Sequence, residues 1–194
     1  IYDEHVFYFS VSSVNYLFEQ HDLEVVDAVH QDVHGGSMRY VIAHKGKKEI
    51  SERVNVQRAK EKKIGLHLPD TYKKLAENIE SSRRRLLELL TNIKKQGKRI
   101  VGYAATSKST TVTNYCGIGP ELIEFISDTT PVKQGKYSPG THIPVKNHNE
   151  FINDYPEYAL LFGWNHAKEI MANEKKFMDS GGKWIVYVPE VKVI

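Results

Sequence analysis

The richest stretch for chemistry is Gly102-Tyr-Ala-Ala-Thr-Ser-Lys-Ser-Thr-Thr111, a run of small and hydroxyl residues between a short apolar segment and a segment able to form a helix. At such a strand-to-helix junction the backbone amides and the positive end of the helix face the same way, so an anion such as a phosphate can be held there. In that reading Lys108 adds charge and Ser107, Ser109 and Thr110 add donors. The segment has neither the Gly-x-Gly-x-x-Gly fingerprint nor the Gly-Lys-Thr ending of a P-loop, so a capped turn with a solvated lysine competes with it.

Further candidates follow along the chain. Asp128 closes a second apolar segment, where an acidic residue can bind ribose hydroxyls or cap the turn Ser127-Asp-Thr-Thr130. The next loop, Pro131 to His142, sets Lys133, Lys136, Tyr137 and His142 between turn-forming residues, and so equipped it can line a phosphate or sugar pocket. At the other end, Tyr2-Asp-Glu-His5 places an imidazole beside carboxylates and a phenol, a set suited to moving a proton. A terminal position weighs against it, because chain ends are often frayed. His30 and His34 lie on a segment read as a strand and make a poor metal site without more ligands.

Those residues need elements to carry them. Val11, Val14, Leu17 and Phe18 have helical spacing; Leu23 to Val33 and Met38 to His44 read as strands joined by a tight turn at Gly35-Gly36. From about Ser51 to Gln96 the chain is charged and helical, with Pro69 at a helix start and an apolar stripe from Tyr72 to Ile93. Gly97 stops it. Arg83-Arg-Arg85 reads as that helix's wet face. Beyond it, strands at 99–103, 122–127, 142–145, 158–164 and 183–188 alternate with helices at about 107–115, 147–153 and 166–179. Alternation at this spacing implies right-handed crossovers and a parallel sheet with helices on both faces.

Composition bounds the rest. A chain of 194 residues can bury one good core or a core with an appendage. The formal charge of +3 is too small to argue for nucleic acid, and Cys116, the single cysteine, excludes a disulfide framework and a cysteine-based zinc site. No run approaches the roughly 18 apolar residues of a membrane helix, so the cytoplasm is the expected compartment. The start on Ile1 within an aromatic cluster reads as part of a longer protein.

Taken together, Tyr2-Asp-Glu-His5, His34-Gly-Gly-Ser-Met-Arg39, Gly102-Tyr-Ala-Ala-Thr-Ser-Lys108, Asn114-Tyr-Cys-Gly-Ile118 and Lys133-Gln-Gly-Lys-Tyr-Ser-Pro-Gly-Thr-His-Ile-Pro144 resemble the C-terminal part of sugar-nucleotide C-methyltransferases. The resemblance covers nearly the whole chain, in order. It implies an α/β fold: a Rossmann-like parallel sheet with helices on both faces, preceded by a helix plus β-hairpin and a long helical linker. Residues 1–45 would close a class I methyltransferase domain, 46–97 would link, and 98–194 would bind the sugar nucleotide. The implied reaction moves a methyl group from S-adenosylmethionine to a carbon beside the keto group of a nucleoside-diphosphate keto-deoxysugar, such as a dTDP-linked one. His5 would be the base, Glu4 would orient it, and Tyr2 would bond to the sugar or its enolate oxygen. Ser107, Lys108, Ser109, Thr110, Asn114, Asp128, Lys133, Tyr137 and His142 would bind substrate. Ala104 and Ser109 stand where that family commonly has glycine.

The same resemblance places S-adenosylmethionine and zinc on domains outside these residues, so this part alone is expected to be inactive and to hold no metal. It is expected to be a monomer or weak dimer, with no membrane or nucleic-acid partner. Two other classes compete: a stand-alone nucleotide- or NAD-binding regulatory module using Asp128 on ribose, and an interaction domain pairing through the stripe from Leu75 to Ile93.

Overall fold

A computed structural model describes residues 7–33 and 36–194. Tyr2, Glu4 and His5 therefore lie outside the described residues, as do His34 and Gly35 of the expected tight turn. The chain divides into two compact units, 7–77 and 78–194, with the boundary inside one long helix.

In the first unit, α1 (Val11–Glu19) starts at Ser10, whose side chain and that of Ser13 cap each other's backbone amides. The buried Glu61 carboxylate accepts from the amides of Val11 (2.8 Å) and Ser12 (2.9 Å), placing a negative charge at the helix's positive end. Burial pushes the Glu61 carboxyl up, but its bonds to Ser12 and Val11 outweigh this and hold it below its ordinary range. β1 (Leu23–Gln31) and β2 (Ser37–His44) form an antiparallel pair with a bulge between Val25 and Asp27. α2 (Glu52–Lys63) covers the pair, and Val11, Val14, Val25, Ala28 and Val54 make the core.

The helical middle stretch is interrupted. Gly65 takes a left-handed conformation (φ 74°), and α3 (Pro69–Lys95) begins four residues later. Its apolar stripe has two fates: Leu86, Leu90 and Ile93 are buried in the second unit's core, whereas Tyr72, Leu75 and Ile79 are exposed. Of the three arginines, Arg84 and Arg85 are exposed as expected, but Arg83 is half-buried over the Tyr115 ring.

The second unit is a six-stranded sheet. Its elements are β3 (Ile100–Tyr103), α4 (Ser107–Cys116), β4 (Ile126–Asp128), β5 (Val145–Asn147), α5 (His148–Asn153), β6 (Tyr158–Leu161), α6 (Ala167–Asn173), α7 (Lys175–Asp179), β7 (Lys183–Val186) and β8 (Lys192–Val193). The order is β5-β4-β3-β6-β7-β8, parallel except for β8. Strand residues alternate between two cores. Ile100, Ile126, Leu160 and Ile185 pack with α3, whereas Val101, Ala159, Leu161 and Trp184 pack with Phe151 of α5 and Phe177 of α7. Each fully buried Leu or Ile contributes about 1.5–3 kcal/mol of transfer free energy. Gly102 admits no larger residue, since a Cβ there would sit 2.7 Å from Phe162 Cε2 and 3.0 Å from Ile126 Cγ1.

Several boundaries differ from the sequence reading. The strand expected from Leu122 starts only at Ile126, because Leu122 and Ile123 bond back to Gly119 O in a turn. The strand expected at His142 is displaced to Val145, because His142 has φ 55° and bonds to Ser138 O. The helix expected over 166–179 breaks at Glu174, and the antiparallel β8 had no counterpart in the alternating pattern.

Candidate functional site

The sheet grows in one direction through β4 and β5 and then reverses, so β3 and β6 meet at its switch point. Ligands of such sheets collect beyond the carboxyl ends of the strands nearby. On the β4 side of that point, a cleft of about 390 Å³ lies between the β3–α4 turn and the 131–145 loop. Ala105, Thr106, Ser107, Ser109 and Thr110 line one wall; Val132, Lys133, Lys136, Tyr137, Ser138 and Pro139 line the other, with Val145 below.

The first wall is set by α4's capping. Thr106 accepts from the Ser109 amide (3.2 Å) while Ser109 Oγ accepts from the Thr106 amide (2.9 Å). Helical bonding begins with Thr110 N to Thr106 O, so the Ser107 and Lys108 amides precede it and are the ones available to an incoming acceptor. Ala104 leads into the turn at φ 71°, a left-handed conformation that costs a non-glycine residue roughly 1–2 kcal/mol.

The second wall is tied to the first. Asn114 of α4 donates to Pro139 O (2.9 Å), close to Gly140 at φ 81°. Asp128 accepts from the amides of Ala105 (2.7 Å) and Thr130 (2.8 Å) and pairs with Lys133 (3.3 Å), which also donates to Ala105 O (2.7 Å). Burial pushes the Asp128 carboxyl up, but the Thr130 and Ala105 bonds and the Lys133 charge outweigh this and hold it below its ordinary range.

The structure thus brings Ser107, Ser109, Thr110, Lys133 and Tyr137 to one cleft. The Ser109 hydroxyl is spent on the cap, and Asn114 and Asp128 hold the walls rather than line them. Lys108 and the exposed His142 are not part of the lining. Thr106 joins the site through its capping role, a signal present in Thr106-Ser-Lys-Ser109 as a hydroxyl at each end of the first turn.

A second polar cluster sits on the opposite face of the same strand ends and was not legible in the sequence. Ser127 Oγ lies 3.1 Å from His148 Nδ1, His148 Nε2 lies 2.9 Å from Glu174 Oε1, and the Tyr103 hydroxyl donates to that same oxygen (2.7 Å). With Nε2–H turned to the carboxyl oxygen, Nδ1 accepts from Ser127. Burial and the bond to Glu174 push the Tyr103 phenol far up, so it stays a donor. The rings of Phe151 and Trp184 pack edge-on against Tyr103 and close the cluster.

The unit at 7–77 has a larger hollow, about 600 Å³, walled by Tyr8, Phe9, Tyr16 and Tyr72 with Ser10, Ser12, Ser13, His67 and Lys62 at its edges. Its carboxylate, Glu61, is committed to the α1 amides. Volume alone would favour it. The smaller cleft has what an anion needs: a helix N-terminus, hydroxyls and two lysines.

The fold is thus a Rossmann-like, mostly parallel sheet with a hydroxyl- and lysine-lined cleft beside the carboxyl ends of β3 and β4. Residues 32–189 match the family described as C-methyltransferase C-terminal domain, and the chain belongs to it. It is similar to the C-methyltransferase NovU of Streptomyces niveus, at 40% identity over 195 residues. The match takes in the whole of this chain and 46% of that relative, so the chain spans about half the relative's length. Among the described residues no helix is long and apolar enough to cross a membrane, and no group of three His, Cys, Asp or Glu could hold a metal ion.

Proposed function

We propose that these residues are the sugar-nucleotide-holding part of an enzyme that transfers a methyl group to a carbon beside the keto group of a nucleoside-diphosphate keto-deoxysugar. The observation that carries this is the cleft at the β3–α4 turn. It offers the free amide of Ser107 at the start of α4, the hydroxyls of Ser107, Thr110 and Tyr137, and the charges of Lys133 and Lys136, on a chain that belongs to the C-methyltransferase C-terminal family. A diphosphate fits that inventory. Asn114 and Asp128 set the walls, while Lys108 and His142 add charge and donors from the flanks.

Proton removal falls to Tyr2, Glu4 and His5, which lie outside the described residues. His5 takes the α-proton, Glu4 orients the imidazole, and Tyr2 donates to the developing enolate oxygen. S-adenosylmethionine, the methyl donor that the family implies, does not fit the residues described here. No acidic-x-Gly-x-Gly turn follows a strand among them, and the β3–α4 turn has Ala104-Ala105 where close approach would call for glycine. The donor is therefore assigned outside the described residues.

A dinucleotide module with Asp128 on the ribose is the weaker reading, because both Asp128 oxygens are engaged by Ala105, Thr130 and Lys133. Calorimetric titration with thymidine diphosphate, a thymidine-diphosphate hexose and NAD separates the two. Binding of the diphosphates and not of NAD, abolished by Ser107→Glu, is the expected result. Preference for NAD, or indifference to Ser107→Glu, would remove the diphosphate from this cleft.

A further inference from the structure

We infer that Lys133 is the cation that meets the diphosphate in this cleft and that Asp128 is a positioning residue acting through it, an inference that rests on the anion-binding reading above. Lys133 closes a single 3-10 turn, Pro131–Lys133, and its side chain reaches back across the cleft to the β3–α4 turn. There its ammonium donates to Ala105 O at 2.7 Å and to Asp128 Oδ2 at 3.3 Å. An ammonium has three hydrogens, so one is left to a ligand. The Lys133 side chain is 41% exposed and lines the cleft, whereas that of Asp128 is 6% exposed and does not. The carboxylate is locked in turn: Ala105 and Thr130 donate to it, and Gln134 holds the Asp128 carbonyl at 3.0 Å.

The pair thus sets a long, flexible side chain in one place before any ligand arrives, which spares the ligand the cost of ordering it. Among the described residues Lys108 has no such brace, and it is not part of the lining. The electrostatic alternative has the opposite sign. If Asp128 acted only through its charge, it would repel an incoming anion, and removing that charge would tighten binding.

The test is a double-mutant cycle on the 194-residue chain. Pyrophosphate and thymidine diphosphate are titrated into wild type, Lys133→Met, Asp128→Asn and the double variant, with Lys133→Arg and Lys108→Ala alongside. Lys133→Met and Asp128→Asn are each expected to weaken binding about tenfold, the strength of one charged hydrogen bond. The double variant should lose no more than either alone. Lys133→Arg should recover most of the affinity, and Lys108→Ala should cost less than about threefold. A purely structural Asp128 would lower the melting temperature without this non-additivity. Tighter binding in Asp128→Asn, multiplying losses in the double variant, or Lys133→Met within twofold of wild type would overturn the inference. Should Asp128→Asn not fold, Lys133→Met and its rescue by Lys133→Arg decide the matter. Binding that is lost in Ser107→Glu but indifferent to Lys133 refutes only this inference, whereas wild type binding neither probe refutes the cleft reading as well.

Discussion

Two polar clusters stand back to back at the carboxyl edge of one sheet, and neighbouring residues feed them: Ser127 belongs to one and Asp128 to the other. Each is built around a carboxylate that is almost fully buried, Asp128 at 7% exposure and Glu174 at 8%. Around Glu174 the partners are His148, Tyr103 and Ser127, capped by Phe151 and Trp184, so the cluster is closed on itself. Around Asp128 the partners are two amides and Lys133, and the lysine opens onto a cleft. A polar network that closes is spent on holding the fold; one that ends on an accessible cation has a donor left for a ligand.

Removing a partner from the closed cluster should give the largest effect on stability. His148→Leu strips Glu174 of its ring partner and is expected to destabilise the unit by about 3 kcal/mol. Urea unfolding followed by tryptophan fluorescence reads this directly, since Trp164 and Trp184 both lie in that unit. In the open cluster, Lys133→Met should cost less than about 1 kcal/mol, as a partly exposed ion pair does, while diminishing binding. Equal losses in the two variants would break the contrast.

The pH response sharpens it. Asp128 has a folded pKa below its unfolded value, so its stabilisation is fully present above roughly pH 4 and is lost as pH falls through the lowered folded value. Asp128→Asn should therefore be less stable than wild type at neutral pH, and the gap should narrow under acid. A gap that stays constant down to pH 2 would deny the carboxylate that role.

Ala104 offers a smaller effect. Ala104→Gly relieves a left-handed alanine but frees the unfolded chain, for a net gain of up to about 1 kcal/mol in thermal unfolding. Smallest is Tyr187→Phe. The buried Tyr187 hydroxyl has no hydrogen-bond partner among the described residues, so its removal should change stability by less than about 0.5 kcal/mol. A loss as large as that of His148→Leu would mean that the hydroxyl is satisfied after all.

The open cluster was largely legible in the sequence, and the closed one was not. The β3–α4 turn and the 131–142 loop are continuous segments whose small, hydroxyl and basic residues announce themselves, and strand–helix alternation implies which ends they sit on. Tyr103 and Ser127 come from two strands, His148 from the start of α5 and Glu174 from the α6–α7 junction, and only the strand order places them together. Local patterning also missed the shortening of β4 and the shift of β5. Side-chain type cannot show that Leu122 and His142 are held in turns by backbone bonds to Gly119 and Ser138. Lys108 drew attention as the charge nearest the hydroxyl run, yet helical geometry turns Ser107, Ser109 and Thr110, not Lys108, to the cleft.

The cleft between the β3–α4 turn and the 131–145 loop is the site proposed to hold the diphosphate of a nucleotide sugar. The most direct test of that proposal is an amide NMR titration of the isotopically labelled chain with thymidine diphosphate. The expected result is saturable shifts concentrated at Ala105 to Thr110 and Lys133 to Ser138, with His148 to Phe151 and Glu174 nearly still. Shifts concentrated at Tyr8 to Tyr16, or none at Ser107 and Lys133 under saturating ligand, would contradict it.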